Sequence, residues 1–147
     1  MSDSSNMLDQ LSDLLNKAQA RGADAADAVY IESQSLAVAE RLGQPEKLER
    51  SESADIGLRA LVGRRQAIVS SSDASPEALG ELVDRVVDMA KSVPEDPYCG
   101  LADPDQLATE IVDIDSYDPA EPTAETLVGW AKRAEETARA VDGVTNS

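Results

Sequence analysis

The sequence of 147 residues predicts an α+β fold of two layers, in which helices pack on one face of an antiparallel β-meander of four to five strands. Near the amino terminus and again after residue 75, apolar residues recur with the three- and four-residue spacing of a helix. Between residues 27 and 72 the spacing changes to two, which is typical of strands, and the connections are too short for helical crossovers. We expect a single domain over residues 1–147, with its sheet at about 28–71.

The first helix is expected over residues 7–20, with Asn6 as its N-cap and Gly22 as its stop. The alternation then predicts strands near residues 29–31, 36–42, 56–62 and 67–69, and an exposed or edge strand over 47–52. Turns are expected at Gln34-Ser35, at Gly43-Gln44-Pro45 and, as a type II′ turn, at Gly63-Arg64.

Ser75-Pro76-Glu77 predicts the start of a second helix, because Ser caps well and Pro loses nothing at the first helical position. Its expected buried stripe is Leu79, Leu82, Val83, Val86, Met89, Ala90 and Val93. A third helix is predicted over residues 123–141, capped by Thr123. Its expected seam is Leu127, Ala131, Ala134, Ala138 and Val141, and its outer face carries Lys132, Arg133, Glu135, Glu136 and Arg139.

Residues 94–122 hold five of the seven prolines, nine acidic residues and no basic one. They also hold more large apolar residues than a solvated linker would, so we expect an extended surface segment with a short strand over 110–114. The sequence closes on a turn signal at Asp142-Gly143 followed by a strand-like start, which favours a piece of a longer protein.

The composition excludes several classes of function. The chain has no His, which excludes a Ser-His-Asp triad, a Cys-His dyad and an HExxH zinc site within these residues. The net charge of −16 disfavours nucleic-acid binding. Neither half of the chain is basic, since residues 1–74 carry 12 acidic and 8 basic residues and residues 75–147 carry 17 acidic and 5 basic residues. No apolar run could span a membrane, the first six residues lack the cationic and apolar regions of a signal peptide, and we expect a cytoplasmic protein.

Four features of the sequence are candidate sites. Asp113-x-Asp115 with Asp118 could hold Ca²⁺ or Mg²⁺, but the glycine and terminal glutamate of a calcium loop are missing and a solvated acidic edge is favoured. Cys99 lacks a basic neighbour in sequence, which favours a structural role. The run from Ser70 to Asp73 could bind a ligand, but satisfying the backbone before the helix is favoured. Trp130 is expected in the core. An exposed Trp at this position would instead mark a contact surface.

Several strings resemble the N-terminal part of the PmbA/TldD family, and the resemblance covers the chain from the first helix to its end. They include Ala54-Asp55-Ile56-Gly57-Leu58-Arg59-Ala60-Leu61-Val62 and Ser70-Ser71-Ser72-Asp73-Ala74-Ser75-Pro76-Glu77-Ala78-Leu79. Within the family, three strings are similar to the PmbA (TldE) branch: Pro94-Glu95-Asp96-Pro97-Tyr98-Cys99-Gly100-Leu101-Ala102-Asp103, Asp118-Pro119-Ala120-Glu121 and Gly143-Val144-Thr145-Asn146-Ser147.

The family is described as modulators of DNA gyrase, microcin-maturation factors and metal-dependent proteases. The resemblance implies a non-catalytic N-terminal domain of a PmbA/TldE-like subunit, which pairs with a metal-bearing TldD-like subunit and helps to admit an unfolded peptide. It assigns no catalytic, metal or cofactor residue here, because the family's metal motif lies in a later segment. The alternative is a free-standing acidic interaction module, and a self-contained enzyme is third. For any basic partner we expect contacts at Asp113, Asp115, Asp118 and Trp130.

Overall fold

The computed structural model describes the chain from residue 2 to residue 147, and its side chains from residue 6. Met1, the first residue of the predicted domain, lies outside the described residues. The elements follow in the order α1 (Ser2–Ala20), β1 (Ala25–Arg41), β2 (Gln44–Val62), β3 (Arg65–Ser71), α2 (Pro76–Ser92), a 3₁₀ turn (Pro104–Gln106) and α3 (Ala124–Arg139). The strands form one antiparallel sheet in the order β1-β2-β3, so the predicted α+β class is confirmed.

The chain divides into two compact units, which are described separately. Unit 1 comprises Met1–Glu32 and Ser53–Ala108, and unit 2 comprises Ser33–Glu52 and Thr109–Ser147.

Unit 1 contains the hydrophobic core. Ile56, Leu58 and Ala60 alternate along β2 and therefore share one face of the sheet. They form one cluster with α1 through Leu14 and Ala18, and with the buried stripe of α2. The α2 stripe is Leu79, Leu82, Val83, Val86, Val87 and Ala90. This cluster gives unit 1 the two layers that the sequence predicts, one of sheet and one of helices.

The predicted number of strands was wrong, because two pairs of predicted strands are each one long strand. No turn forms at Gln34-Ser35, and β1 runs through it from Ala25 to Arg41. A tight hairpin turn needs backbone with positive φ, and neither of these residues has it. The predicted edge strand over residues 47–52 likewise continues into 56–62 as β2, because no Gly or Pro separates them.

Both observed hairpin turns have the positive φ angles that these turns require. Gly63 has φ 59° at the first turn position between β2 and β3, where Val62 pairs with Arg65, in agreement with the predicted type II′ turn. The turn between β1 and β2 is Leu42-Gly43, one residue earlier than predicted, with φ values of 51° and 75°. Two positive φ values define a type I′ turn, whose twist suits antiparallel strands.

The ends of α1 agree with the prediction only at its carboxyl terminus. Gly22 adopts φ 108°, and the Ala23 amide donates to the Ala18 carbonyl at 3.0 Å, which is the glycine stop that was predicted. The amino-terminal prediction was wrong, because α1 begins at Ser2 and Asn6 lies within it. No Gly or Pro occurs among residues 2–6 to end the helix earlier.

The start of α2 is confirmed: the Ser75 hydroxyl accepts from the Ala78 amide at 3.3 Å, and Pro76 is the first helical residue. The predicted stripe was wrong at Met89, which is 43% exposed, and at Val93, which is the half-buried C-cap beyond the helix, while Val87 is an unpredicted member of the core. None of the helices in the described chain has the length and apolar character that a membrane span requires.

We expect Ser75→Ala to lower the free energy of unfolding by about 1 kcal/mol, because the substitution leaves an amide of the first turn of α2 without its acceptor. Urea denaturation followed by circular dichroism measures this change. Ser72→Ala is the matched control, since Ser72 is exposed and lies outside the helix. An equal effect of the two substitutions would contradict the cap.

Candidate functional site

The buried charged side chain of the described chain is Glu135, which lies on α3 in unit 2 and is only 7% exposed. Its two carboxylate oxygens accept from the Gly43 amide at 2.8 and 3.1 Å. The Ser147 hydroxyl donates to the same carboxylate and accepts from the Leu42 amide at 3.1 Å. One side chain of α3 therefore binds both amides of the type I′ turn, directly or through Ser147.

These contacts lower the pKa of Glu135. The hydrogen bond from Ser147 contributes most, the Gly43 amide and the positive charge of Arg139 act in the same direction, and burial opposes them. Arg139 lies close to the turn, since a Cβ on Gly43 would come within 3.3 Å of its guanidinium. A carboxylate held in its charged form is a poor general base near neutral pH, so the arrangement fixes the turn rather than performing chemistry.

The sequence placed Glu135 on the outer face of the third helix, and that prediction was wrong. The predicted seam continues from Ala131 to Ala134, Ala138 and Val141, but these three residues are exposed. The observed inner face follows Ala124, Leu127, Val128, Ala131 and Glu135 instead. This is the same helical spacing with a step of four after Ala131. That spacing is the only sequence signal for the burial of Glu135. The charge of the side chain argued against burial, so the signal was not used.

The predicted partner-contact residues all lie in unit 2. Trp130 is 52% exposed on α3 and so meets the condition under which a contact role was predicted. Asp113, Asp115 and Asp118 are exposed in a stretch without helix or strand. Asp113 accepts from the Asp115 amide at 3.0 Å, and Asp118 accepts from the Ala120 amide at 2.9 Å. Two of the three carboxylates thus cap local turns.

The described residues contain no group of three or more His, Cys, Asp or Glu side chains that could hold a metal ion. The Asp113 and Asp118 carboxylates bond to their own loops, and no calcium loop forms around them. The short strand expected over 110–114 is also absent. The large apolar residues of this surface segment are exposed: Ile111 fully, and Val112, Ile114 and Tyr117 by at least 74%.

Cys99 is half-buried in unit 1, and the charge of Arg59 lies close enough to interact with it. Arg59 is already paired with Asp27, its Nε donating to that carboxylate at 2.8 Å. The guanidinium near Cys99 comes from β2, far away in sequence, so the sequence alone could not show it. Cys99 is the single cysteine of the sequence, so no second thiol of this chain can pair with it.

The serine run before α2 satisfies the backbone, as predicted. The Ser71 hydroxyl accepts from the Asp73 amide at 3.0 Å, and the Asp73 carboxylate accepts from the Ser75 amide at 2.8 Å. Hydrogen bonding from Ser75 lowers the pKa of Asp73. The side chains of Ser71 and Asp73 therefore bond to backbone amides of the connection that leads into α2.

Residues 26–90 match a family model described as PmbA/TldA metallopeptidase domain 1. A protein named Metalloprotease PmbA, from Escherichia coli O157:H7, is 30% identical over 125 residues, which cover 84% of this chain and 28% of that protein. A protein named Metalloprotease PmbA homolog, from Haemophilus influenzae, is 30% identical over 117 residues, which cover 80% of this chain and 26% of that protein. The chain thus spans little more than a quarter of these relatives.

Two solved structures share the fold. One is a Bacteroides thetaiotaomicron protein described as a modulator of DNA gyrase, with a TM-score of 0.69, 16% identity, and coverage of 92% of this chain and 30% of that one. The other is TldE from Thermococcus kodakarensis, with a TM-score of 0.69, 18% identity, and coverage of 90% and 30%. They show the shared fold, and the family model and the two relatives confirm the predicted resemblance: residues 26–90 of the chain belong to domain 1 of the PmbA/TldD family.

Proposed function

We propose that this chain supplies the non-catalytic N-terminal domain of a PmbA/TldE-like subunit in a metal-dependent peptidase assembly. The observation that carries the proposal is the 30% identity to Metalloprotease PmbA across 84% of this chain. The absence of His from the sequence supports the non-catalytic part, because the usual zinc-peptidase ligands are missing here.

In this proposal a TldD-like metallopeptidase subunit supplies the metal and the chemistry. The present domain contributes to subunit assembly and to the path of an unfolded peptide. The strong net negative charge argues against DNA as the ligand, in spite of the gyrase name. A cytoplasmic location fits a chain with a single cysteine.

The test is to express the full-length protein together with its TldD-like subunit and to measure association and peptide hydrolysis. We expect the two subunits to purify together and to hydrolyse unfolded peptides, and we expect a chelator to abolish hydrolysis. Removal of residues 1–147 from the full-length protein should reduce association or hydrolysis. Chelator-insensitive hydrolysis by the purified 147-residue chain would contradict the non-catalytic role.

The alternative is a free-standing acidic interaction module, and the exposure of Ile111, Val112, Ile114, Tyr117 and Trp130 favours it. It differs from the first proposal in one measurable respect, since it requires the 147-residue chain to bind a partner by itself. Capture of the TldD-like subunit by the full-length protein but not by this chain would remove its support.

A further inference from the structure

The stretch of residues 110–118, here called the acidic–apolar segment, exposes large apolar side chains to solvent. Ile111 is fully exposed, and Val112, Ile114 and Tyr117 are at least 74% exposed. Single exposed apolar residues are ordinary on protein surfaces, but several in one short stretch mark an interaction site. The segment lies wholly in unit 2, and no described residue covers these side chains.

The backbone of residues 110–114 is available for pairing. It lies in neither helix nor strand, and it makes no hydrogen bond within the described part of the chain. In an extended conformation, Val112 and Ile114 lie on one side and Asp113 on the other. Ile and Val favour strands, and the left-handed φ of 48° at Asp115 would end the strand there. These properties suit the addition of a strand to an open sheet edge.

The charge of the segment limits what it can bind. Glu110, Asp113, Asp115 and Asp118 surround the apolar residues, and residues 94–122 contain no base. An anionic membrane or a nucleic acid would repel this sequence. A second copy of the chain, with a net charge of −16, offers little positive surface to compensate. The complementary surface is a protein edge bordered by Lys or Arg side chains.

We propose that the acidic–apolar segment docks as an added strand on a basic-rimmed sheet edge of the metallopeptidase subunit. This inference rests on the function proposed above, since that function supplies the subunit. Val112 and Ile114 enter an apolar surface, and Asp113 and Asp115 meet the basic rim. The acids set the orientation and speed of association, and the apolar pair excludes water from the contact.

Photo-crosslinking in the full-length complex tests the location of the contact. Benzoylphenylalanine replaces Val112 or Ile114, one at a time, in the full-length protein expressed with the metallopeptidase subunit. The matched control is the same replacement of Ile68, an apolar residue of β3 that is 66% exposed. We expect crosslinks to the metallopeptidase subunit from positions 112 and 114 and none from position 68.

Charge reversal tests the chemistry of the contact. We expect Asp113→Lys/Asp115→Lys to weaken subunit association by about tenfold or more, with a smaller effect at high salt. The control Glu136→Lys/Asp142→Lys makes the same change in net charge at exposed positions of unit 2 outside the segment. Association should be nearly unchanged in that control, as measured by surface plasmon resonance.

The outcomes separate this inference from the function on which it rests. If the subunits associate but residues 112 and 114 crosslink to their own chain or to a second copy, the docking inference is overturned and the proposed function stands. Equal effects of the two charge reversals would also overturn it. If the wild-type subunits do not associate at all, the proposed function fails, and the inference fails with it.

Discussion

Leu58→Ala is expected to lower the free energy of unfolding by about 2–5 kcal/mol. Leu58 is 0% exposed in the carboxyl-terminal part of β2 and belongs to the cluster that joins α1, α2 and the sheet. Truncation removes buried apolar surface and leaves a cavity that the surrounding helices cannot fill completely. The measurement is urea denaturation followed by far-ultraviolet circular dichroism.

The chain provides a matched control on the same strand. Leu48 also lies on β2 but is 66% exposed, so Leu48→Ala should change the free energy of unfolding by less than about 0.5 kcal/mol. The only tryptophan, Trp130, lies in unit 2 and Leu58 lies in unit 1. Recording its fluorescence beside the dichroism shows whether the units unfold in one transition. Similar losses for the two leucine variants would refute the assigned core.

Glu135→Gln is expected to lower the melting temperature by several degrees at pH 7, and to loosen the carboxyl-terminal half of α3, the helix that carries Trp130. The substitution keeps the size of the side chain but removes the charge that strengthens the hydrogen bonds from Gly43 and Ser147. Thermal melting followed by Trp130 fluorescence measures it. Glu136→Gln, at the exposed neighbouring position, is the control and should leave the melting temperature unchanged.

The same variant should alter the dependence of stability on pH. The pKa of Glu135 in the folded protein is lower than its ordinary value of 4.5, so the carboxylate stabilises the fold fully above that value. This stabilisation is lost as the pH falls through the lowered pKa, where the wild type and Glu135→Gln should converge. Asp73, whose pKa is also lowered, contributes acid sensitivity to both proteins alike. A difference between them that persists below the lowered pKa would contradict this account.

Features determined by local chemistry were predictable from the sequence. Ser75 and Pro76 specify the start of α2 through groups within one helical turn, and Gly22 and Gly63 supply the positive φ that their positions require. The inner stripe of α2 follows from spacing alone at five positions, whereas Met89 and Val93 were wrongly included and Val87 was missed. In each of these cases the residues that determine the structure are close in sequence.

Features determined by distant residues were not predictable. The turn expected at Gln34-Ser35 rested on the short connection between two alternating runs, but β1 continues through it. Glu135 was assigned to solvent because charged residues are rarely buried, and its partner, the Gly43 amide, lies 92 residues away. The short strand expected over residues 110–114 is absent, because none of the described residues pairs with it.

The two hairpin turns have different consequences for the order of folding. The turn at Gly63 has a glycine suited to its geometry, and β2 and β3 pair directly across it. The turn at Leu42-Gly43 places a branched residue at φ 51° and receives its acceptors from Glu135 and Ser147. The residues of these two contacts, Gly43 with Glu135 and Leu42 with Ser147, are 92 and 105 residues apart in sequence. Contacts between such distant residues form late in folding, because closing the intervening loop costs conformational entropy. We therefore expect hydrogen exchange during refolding to protect the amides of β3 before that of Gly43.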